Sequence, residues 1–241
     1  MDKRICMIIP VYTTSLSDNE NYSVSKSISH FEGYDIYFVC PKGLKTDYYK
    51  EKYARCKFVE FPKKYFLSER TYSKLLLTED FYKVFSDYEY MLICQTDAIL
   101  LKAVNTWIDI LDKRLDYIGA PWKDGNTVYK RAFKGISLIK NLMKPVTCYV
   151  GNGGFSLRKI ASMIYLTEKY HNIARQWNSG EDAFFAYYGL KDENFNIADL
   201  ETAEKFAAEK NAKEVFSNGH EVIGVHAWEK YCPNIKAYIE E

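Results

Sequence analysis

Two polar groups, one in each half of this sequence, could together hold a divalent cation. The apolar run at residues 90–94 gives way to Gln95, Thr96 and Asp97. A carboxylate at the end of a buried strand lies at the sheet edge where open α/β sheets bind ligands. His226 stands in the last apolar run, and Mn²⁺ accepts imidazole nitrogen beside the oxygen ligands that Mg²⁺ also prefers. Asp97 and His226 are therefore candidate metal ligands, unless Asp97 caps a turn and His226 is a structural residue.

Three glycines within four residues mark a second candidate site. Gly151, Gly153 and Gly154 surround Asn152, and backbone without side chains can approach a ligand closely or adopt positive φ angles. Peptide groups at such a place can donate hydrogen bonds to the hydroxyls of a sugar. The alternative is a plain turn between a strand and a helix.

Two adjacent acids, Glu181 and Asp182, stand where a helix is predicted to begin. Acids at this position stabilise the helix dipole, and Ser179 is available as an N-cap. The functional alternative is a general base, a carboxylate that takes a proton from an attacking hydroxyl. The flanking Trp177 and Phe184 would form an apolar wall that raises the pKa of such a base.

Helices and strands must position these groups. The first hundred residues alternate between short apolar runs and helical patterns. The alternation predicts an α/β fold with a mostly parallel central sheet flanked by helices. Neither GxGxxG nor GxxxxGK[ST] follows the first strand, which disfavours a dinucleotide-binding Rossmann fold and a P-loop NTPase. The predicted strands are residues 5–11, 34–40, 57–61 and 90–94, the predicted helices residues 22–31, 46–55 and 72–85, and residues 12–21 form a loop.

The second half of the chain is less regular, and nothing in it suggests a repeat or a linker. Its basic, irregular stretch at residues 123–144 is a candidate mobile loop. The remaining patterns predict helices at residues 107–111, 159–170, 181–188 and 198–210, a strand running into a tight turn at residues 116–122, and a short strand at residues 222–228. We therefore expect a single domain.

Composition narrows the class of protein. The net charge of +1 provides no broad field for nucleic acid, and the aromatic content of 16%, with 21 Tyr, suits either sugar stacking or an ordinary core. Six cysteines without a CxxC pair predict buried free thiols in a reducing compartment. The apolar run near the amino terminus is too short for a signal peptide. We expect a cytoplasmic protein, and basic patches leave peripheral association with the inner face of the cell membrane open.

The order of these motifs resembles that of the metal-dependent glycosyltransferases of the GT-A fold. Among these, the Fringe-type β-1,3-glycosyltransferases and the β-1,4-galactosyltransferases share the sequence of acidic metal motif, Gly-rich turn, acidic base motif and metal-binding His. The resemblance is strongest to a largely uncharacterised bacterial group of GT-A-like proteins. The matching motifs are IPVY at residues 9–12, YEYMLICQTDA at 88–98, GAPW at 119–122, GNGGFSLR at 151–158, ED at 181–182 and GVHAW at 224–228.

The resemblance implies a role for individual residues of a single GT-A-like domain, residues 1–241. Residues 1–100 would bind the nucleotide, and residues 101–241 would shape the donor-sugar and acceptor sites. Asp182 would be the base of an inverting transfer, and Arg158 would anchor the Gly-rich turn or contact phosphate. The nucleotide contacts would be Pro10, Val11, Tyr12, Lys74, Gln95 and Thr96, the donor-sugar and acceptor contacts Gly153, Gly154, Glu181, Trp122 and Trp228, and the metal ligands Asp97 and His226.

One departure from the family pattern bears on the metal. The usual motif is Asp-x-Asp, whereas this chain has Gln95-Thr96-Asp97, so one carboxylate is missing. Either Asp97 and His226 bind Mn²⁺ or Mg²⁺ together with the diphosphate and waters, or metal dependence is weaker than in the relatives.

The activity implied by the resemblance is hexosyl transfer from a nucleotide-sugar, with UDP as the expected nucleotide, to a hydroxyl of a glycan or lipid-linked glycan. The setting it implies is the synthesis of bacterial surface polysaccharide such as O-antigen, in lipopolysaccharide, or capsule. Two other classes stay open: a sugar nucleotidyltransferase, which usually carries a Gly-rich basic motif after its first strand, and a non-catalytic carbohydrate-binding domain with a reduced metal motif.

Overall fold

The computed structural model describes residues 4–128 and 145–239, and its centre is a six-stranded sheet. The strand order is β3-β2-β1-β4-β9-β6; the first four strands are parallel, and β9 runs antiparallel to both of its neighbours. The predicted α/β fold with a mostly parallel central sheet is confirmed. The strands are β1 Ile5–Pro10, β2 Asp35–Pro41, β3 Lys57–Phe61, β4 Tyr90–Cys94, β5 Ile99–Leu100, β6 Tyr117–Gly119, β7 Pro121–Val128, β8 Val146–Val150, β9 Phe155–Lys159, β10 Ala207–Ala208 and β11 Gly224–Val225.

Helices cover the sheet, and short 3₁₀ segments connect several of them. The α-helices are α1 Asp18–His30, α2 Asp47–Lys52, α3 Glu69–Leu76, α4 Glu79–Lys83, α5 Ile160–Lys169, α6 His171–Gln176, α7 Glu181–Gly189, α8 Leu200–Phe206, α9 Ala212–Ser217, α10 Trp228–Tyr231 and α11 Lys236–Ile239. The 3₁₀ segments are Lys63–Phe66, Val104–Thr106 and Ile108–Lys113. No helix among residues 4–128 and 145–239 is long and apolar enough to cross a membrane.

Strand β1 shows why the central runs are apolar throughout. Ile5, Met7 and Ile9 pack into one hydrophobic cluster, whereas Cys6 and Ile8 pack into another on the opposite face. All five side chains are completely buried. A sheet with helices on both faces has no solvent-facing side, so its strands lack the polar alternation of half-exposed strands.

The antiparallel strand β9 brings two of the sequence motifs together. Its register pairs Cys94 at the end of β4 with Phe155 at the start of β9. The Gly-rich turn that precedes β9 therefore lies beside the polar residues that follow β4. The Gln95 N–H donates to the carbonyl oxygen of Gly154 at 2.9 Å and joins the two segments.

A small second sheet brings in His226. It has the order β10-β11-β5, and β11 pairs antiparallel with β5 so that Val225 lies opposite Ile99. His226 directly follows β11, and Asp97 comes two residues before β5. This pairing places the late histidine next to Asp97, although the two residues are 129 positions apart in the sequence.

Two helix predictions in the first half need correction. Helix α1 begins at Asp18, inside the predicted loop, because Ser17 and Glu20 form a capping box whose backbone and side-chain hydrogen bonds start the helix early. The predicted helix at residues 72–85 is two helices, because the chain turns between Leu76 and Glu79. The remaining predicted helices and strands of this half agree to within a few residues.

Corrections in the second half concern segments that pair with distant strands. The predicted helix at residues 107–111 is 3₁₀. The helix predicted at residues 198–210 ends at Phe206, because the next two residues pair with β11. The predicted turn at residues 116–122 is instead the junction of β6 and β7. Of the predicted mobile loop, residues 123–128 belong to β7 and pair with β8, and residues 129–144 lie outside the described part of the chain.

The prediction for the cysteines is confirmed in its structural part. All six side chains are buried free thiols. They fill the hydrophobic clusters between the sheets and helices, as small apolar residues do.

Candidate functional site

The functional candidates meet at one cavity of about 810 Å³. It opens at the carboxyl edge of β1 and β4, where the polar loops after these strands face the Gly-rich turn and the start of α7. Ligand cavities in proteins typically measure about 300–1,000 Å³. The predicted site residues that line it are Pro10, Tyr12, Gln95, Thr96, Asp97, Gly153, Gly154, Glu181, Asp182 and His226.

Asp97 and His226 are in contact at the floor of this cavity. The Oδ1 atom of Asp97 lies 3.4 Å from Nε2 of His226. Burial disfavours the charged form of Asp97, but the hydrogen bond and charge of His226 outweigh it and lower the pKa of the carboxyl. Burial also opposes protonation of His226, yet its contacts with Asp97 and Glu209 raise the pKa of the imidazole to about 9.

Gly154 is required by the position of His226. A Cβ atom at residue 154 would lie 2.1 Å from Nε2 of the imidazole, well inside van der Waals contact. The Gly-rich turn therefore passes directly against the histidine. The close backbone approach predicted from the glycines is present, and the histidine ring is the group that the turn approaches.

Glu209, which the sequence patterns do not single out, lies on the other side of His226. Its Oε1 atom is 3.4 Å from Nδ1 of the imidazole, and its exposed fraction is 8%. Glu209 follows β10 within a run rich in Ala and Glu that reads as a helix, so no local signal marks it. The pairing of β10 with β11 brings it to the site.

Arg158 anchors the Gly-rich turn from inside the protein. Its side chain is completely buried, and its guanidinium donates to the Gly153 carbonyl at 3.3 Å and to Oε1 of Glu181 at 2.9 Å. The other two nitrogens donate to the Tyr82 hydroxyl and to Oγ of Ser156, each at 3.0 Å. Of the two roles expected for Arg158, anchoring is the one that these contacts describe.

Glu181 belongs to the same internal network. Its Oε1 accepts from Arg158, and its Oε2 accepts from Oγ of Ser73 at 2.7 Å. Both oxygens are engaged by protein donors, and the residue is buried. Glu181 was expected to bind a sugar hydroxyl; these contacts instead make it part of the support for the turn and for the start of α7.

Asp182 is the neighbouring acid, and its carboxylate lines the cavity. Its Oδ1 accepts from the Ala183 N–H at 2.6 Å, which fixes the orientation of the group at the first turn of α7. Burial, reinforced by the negative charge of Glu181, raises the pKa of Asp182 to about 7. Trp177 and Phe184, which were expected to flank this base, are both buried, and their rings pack edge to face.

The predicted nucleotide contacts separate into two groups. Pro10, Tyr12, Gln95 and Thr96 line the cavity, and the Tyr12 side chain is 61% exposed at its mouth. Val11 does not line it, because its side chain is buried and its N–H continues the sheet by donating to the Val39 carbonyl. This strand-end pairing holds Pro10 and Tyr12 on either side of it in place.

Lys74 also lies apart from the cavity. Its ammonium donates to the backbone carbonyls of Arg175 and Trp177 at the end of α6. A cation at that position satisfies carbonyls that a helix end leaves without partners. The expectation that Lys74 contacts the diphosphate is therefore replaced by a role in joining α3 to α6.

Neither predicted tryptophan contact lines the main cavity. Trp122 packs against Gly151 and lines a separate cavity of about 380 Å³ beside β7. Trp228 is 2% exposed, and its Nε1 donates to Oγ of Ser23 at 2.8 Å. Trp228 is thus a core residue, and its burial explains why it cannot contact a ligand.

The cavity wall carries a strong excess of negative charge. Among the described residues that line it, the possible cations are Lys230 and His226, against seven acids: Glu20, Glu69, Asp97, Glu181, Asp182, Glu209 and Glu229. An anionic ligand would be repelled by such a wall unless a cation accompanied it. This charge balance bears on the metal expected from the sequence.

The described residues fit a bound divalent cation only in part. No group of three or more His, Cys, Asp or Glu side chains in residues 4–128 and 145–239 is arranged to hold a metal ion. Asp97 and His226 supply one oxygen and one nitrogen ligand at adjacent positions. A cation there would need its remaining ligands from the substrate and from water, which is common for Mg²⁺ bound with phosphates.

Comparisons with known proteins agree with the fold. The model of the family described as "Protein of unknown function (DUF5672)" matches residues 55–226. The crystal structure of mouse xyloside xylosyltransferase 1, apo form, is similar with a TM-score of 0.54 and 12% sequence identity, covering 91% of this chain and 96% of that one. At this identity the match shows a GT-A-like fold and does not by itself assign an activity.

A second solved structure, 4-diphosphocytidyl-2C-methyl-D-erythritolsynthase from Anaerococcus prevotii DSM 20548, aligns with a TM-score of 0.47 and 15% identity, over 81% of this chain and 86% of that one. The comparison with curated protein sequences found no match.

Proposed function

This chain belongs to the family described as "Protein of unknown function (DUF5672)", and we propose that it is a glycosyltransferase that moves a sugar from a nucleotide-sugar to an acceptor hydroxyl. The observation that carries the proposal is the convergence of Asp97, His226, the Gly-rich turn and Asp182 on one cavity at the carboxyl edge of the sheet. These four groups stand far apart in the sequence, and each was expected to serve the same reaction.

Asp182 is the proposed general base. As an acceptor hydroxyl attacks the anomeric carbon, it must lose its proton, and a positioned carboxylate takes that proton. A pKa near neutrality makes the base stronger than an ordinary aspartate while leaving a large part of it unprotonated at pH 7 to 8. A base acting on an acceptor in this way supports direct displacement, with inversion at the anomeric carbon.

Asp97 and His226 are the proposed protein ligands for Mn²⁺ or Mg²⁺. Bound there, the cation would neutralise the diphosphate of the donor and of the departing nucleotide. The anionic wall of the cavity supports this part of the proposal, because a diphosphate without a cation would face acids on several sides. The Oε1 atom of the adjacent Gln95 lies 3.3 Å from Nε2 of His226, and a cation bound at Nε2 would replace this contact.

The nucleotide end of the donor would lie against Tyr12 and Thr96. Tyr12 offers an exposed ring at the cavity mouth on which a base could stack. The Thr96 hydroxyl donates to Glu20 at 2.8 Å and so presents a fixed polar edge. UDP as the nucleotide, a glycan or lipid-linked glycan as the acceptor, and a place in bacterial surface polysaccharide synthesis are further proposals that rest on the motif resemblance.

Calorimetric titration tests the proposal. UDP, GDP and CDP, and the corresponding sugar nucleotides, are titrated into the protein in Mn²⁺ and again in EDTA. We expect one nucleotide series to bind in Mn²⁺ and to lose most of its affinity in EDTA. Asp97→Asn should reproduce the EDTA result, whereas the matched variant Asp112→Asn, which removes a 73% exposed carboxylate paired with Arg4, should bind like the wild type.

Three outcomes would count against parts of the proposal. Equal binding in Mn²⁺ and EDTA would remove the cation. Tight binding of a nucleoside triphosphate together with a sugar phosphate, and formation of pyrophosphate, would favour a nucleotidyltransferase. Binding of free glycans without any nucleotide would favour a non-catalytic carbohydrate-binding domain.

A further inference from the structure

Glu209 has a carboxylate oxygen that no group in the described chain satisfies. Its Oε1 atom faces His226, but its Oε2 atom is buried and has no hydrogen-bond partner among residues 4–128 and 145–239. The residue is 8% exposed and lines the cavity that also holds Asp182. Its negative charge is close enough to Asp182 to contribute to the raised pKa of that group.

An unsatisfied buried carboxylate oxygen is costly, because it has given up its hydrogen bonds with water. Most polar groups in protein interiors avoid this cost by pairing. The backbone around Glu209 fixes the residue all the same: its N–H donates to the Asn211 side chain, and its carbonyl accepts from the Ala212 N–H. Glu209 is therefore held in the wall of a cavity large enough for a ligand, and its unsatisfied oxygen is part of that buried side chain.

The chemistry of the free oxygen selects the type of group that would satisfy it. Nδ1 of His226 lies 3.4 Å from the other oxygen of Glu209, so a ligand needs to supply a donor to one oxygen only. A sugar hydroxyl is such a donor, and a hydrogen bond from a hydroxyl to a carboxylate is among the stronger ones.

We propose that Glu209 is a sugar-recognition residue, whose Oε2 atom accepts a hydrogen bond from a ring hydroxyl of the donor sugar. This inference rests on the proposed glycosyltransferase function and deepens it: the transferred sugar must carry a free hydroxyl at the position that faces Glu209. Because Glu209 lies beside His226 and across from the base, it would fix the sugar between the metal-binding wall and Asp182.

The first test compares the donor with its nucleotide part. The sugar nucleotide that binds most tightly in a panel of UDP-, GDP- and CDP-sugars is titrated, with the free nucleoside diphosphate as reference, against wild type and Glu209→Gln in Mn²⁺. We expect Glu209→Gln to lower the affinity for the sugar nucleotide about tenfold more than it lowers the affinity for the free nucleoside diphosphate. The ratio of the two affinities isolates the sugar, because any effect through His226 changes both ligands alike.

A matched variant controls for charge. Glu229→Gln removes a carboxylate from the same cavity wall, where Glu229 accepts from the Asn19 side chain instead of pairing with His226. It should leave the affinity ratio unchanged. If Glu229→Gln changed the affinity ratio as much as Glu209→Gln does, the negative charge of the cavity wall, and not a contact with Glu209, would explain the effect.

The second test identifies the hydroxyl. Deoxy analogues of the same sugar nucleotide, each lacking one ring hydroxyl, are titrated against wild type and Glu209→Gln. One analogue should bind the wild type about tenfold more weakly than the parent sugar nucleotide does. The affinity for that analogue should not fall further in Glu209→Gln. The inference would be overturned if, for every analogue, the loss from the missing hydroxyl and the loss from Glu209→Gln simply added. An unchanged affinity ratio in Glu209→Gln would also overturn it. Failure of all sugar nucleotides to bind the wild type would instead overturn the proposed function.

Discussion

The two walls of the cavity differ in how far their polar groups are satisfied. One, which we call the anchored wall, consists of Gly153, Arg158 and Glu181, where each guanidinium nitrogen and both Glu181 oxygens have partners within the protein. The other, the open wall, consists of Asp97, His226 and Glu209. Its contacts are 3.4 Å long, and Nδ1 of His226 and Oε2 of Glu209 have no hydrogen-bond partner among the described residues.

This difference separates structural from functional polarity. A network whose members are all paired holds its geometry without a ligand and contributes stability by staying intact. A group of buried polar atoms with unused hydrogen-bonding capacity is stabilised when a ligand completes it. The anchored wall therefore positions the site, and the open wall is the one that we propose binds the substrate. Asp182 lies where the anchored wall meets the cavity.

The largest expected effect comes from removing Asp182, the proposed base at that junction. Asp182→Asn keeps the shape of the side chain and its hydrogen bond to the Ala183 N–H while removing its basicity. We expect turnover of the bound donor, followed as release of the nucleoside diphosphate, to fall by about 10²–10⁴-fold. Affinity for the donor should change little. Turnover at the wild-type rate would show that Asp182 is not the base.

Breaking the anchored wall should cost stability. Arg158→Met leaves Glu181 buried without its ion pair, and removing one partner of a buried pair typically costs about 3–5 kcal/mol in the free energy of unfolding. The exposed pair of Arg4 and Asp112 provides the control, because Arg4→Met should cost less than about 1 kcal/mol. Urea denaturation measures both. Similar losses in the two variants would remove the distinction between an anchored network and a surface contact.

Substitutions at two neighbouring glycines can perturb the two walls separately. A Cβ at Gly153 would lie 2.6 Å from Oε1 of Glu181, whereas a Cβ at Gly154 would lie 2.1 Å from Nε2 of His226. We expect Gly153→Ala to lower the free energy of unfolding by about 1–3 kcal/mol. Gly154→Ala should mainly weaken Mn²⁺-dependent nucleotide binding by displacing the imidazole. Thermal melts and calorimetry on both variants test this, and identical profiles would contradict it.

The titration of Asp182 should make the free energy of unfolding depend on pH. Its pKa is raised from 3.8 to about 7, so the folded protein holds one more proton than the unfolded chain between about pH 4 and 7. This contribution to the free energy of unfolding is complete below pH 4 and is lost as the pH rises, with a slope of up to about 1.4 kcal/mol per pH unit.

The variant Asp182→Asn lacks that titration. The difference in unfolding free energy between Asp182→Asn and the wild type should therefore grow in favour of the variant from about pH 4 to about pH 7 and stay constant above. Urea denaturation at a series of pH values measures it. A difference that does not change with pH would mean that Asp182 is an ordinary exposed carboxyl, which would make it a weaker base than proposed.

The central sheet could be predicted from the sequence because its signals are local. The run at residues 90–94 is short, apolar and bounded by polar residues, and residues 57–61 are a short segment ended by Pro62; the structure gives both strands the predicted bounds. The base candidate and the glycines were also visible locally. The capping box at Ser17 was equally local, but the polar composition of residues 12–21 favoured a loop and concealed it.

The parts that could not be predicted depend on pairing across the chain. Glu209 reaches the site only through the pairing of β10 with β11, and nothing in the neighbouring residues encodes that contact. Trp228 and Lys74 carry side chains that suit ligands, yet the fold uses one as core and the other to hold carbonyls. Residue type therefore identified candidates, and the packing decided which of them face the cavity.

The most direct test of the two-wall account is anomalous diffraction at the manganese absorption edge from crystals grown with Mn²⁺ and UDP. The account predicts one peak at Asp97 and His226 on the open wall, with the diphosphate beside it and Asp182 facing the vacant sugar position. Nucleotide bound in this cavity with no manganese at Asp97 and His226, or nucleotide bound away from the cavity, would contradict it.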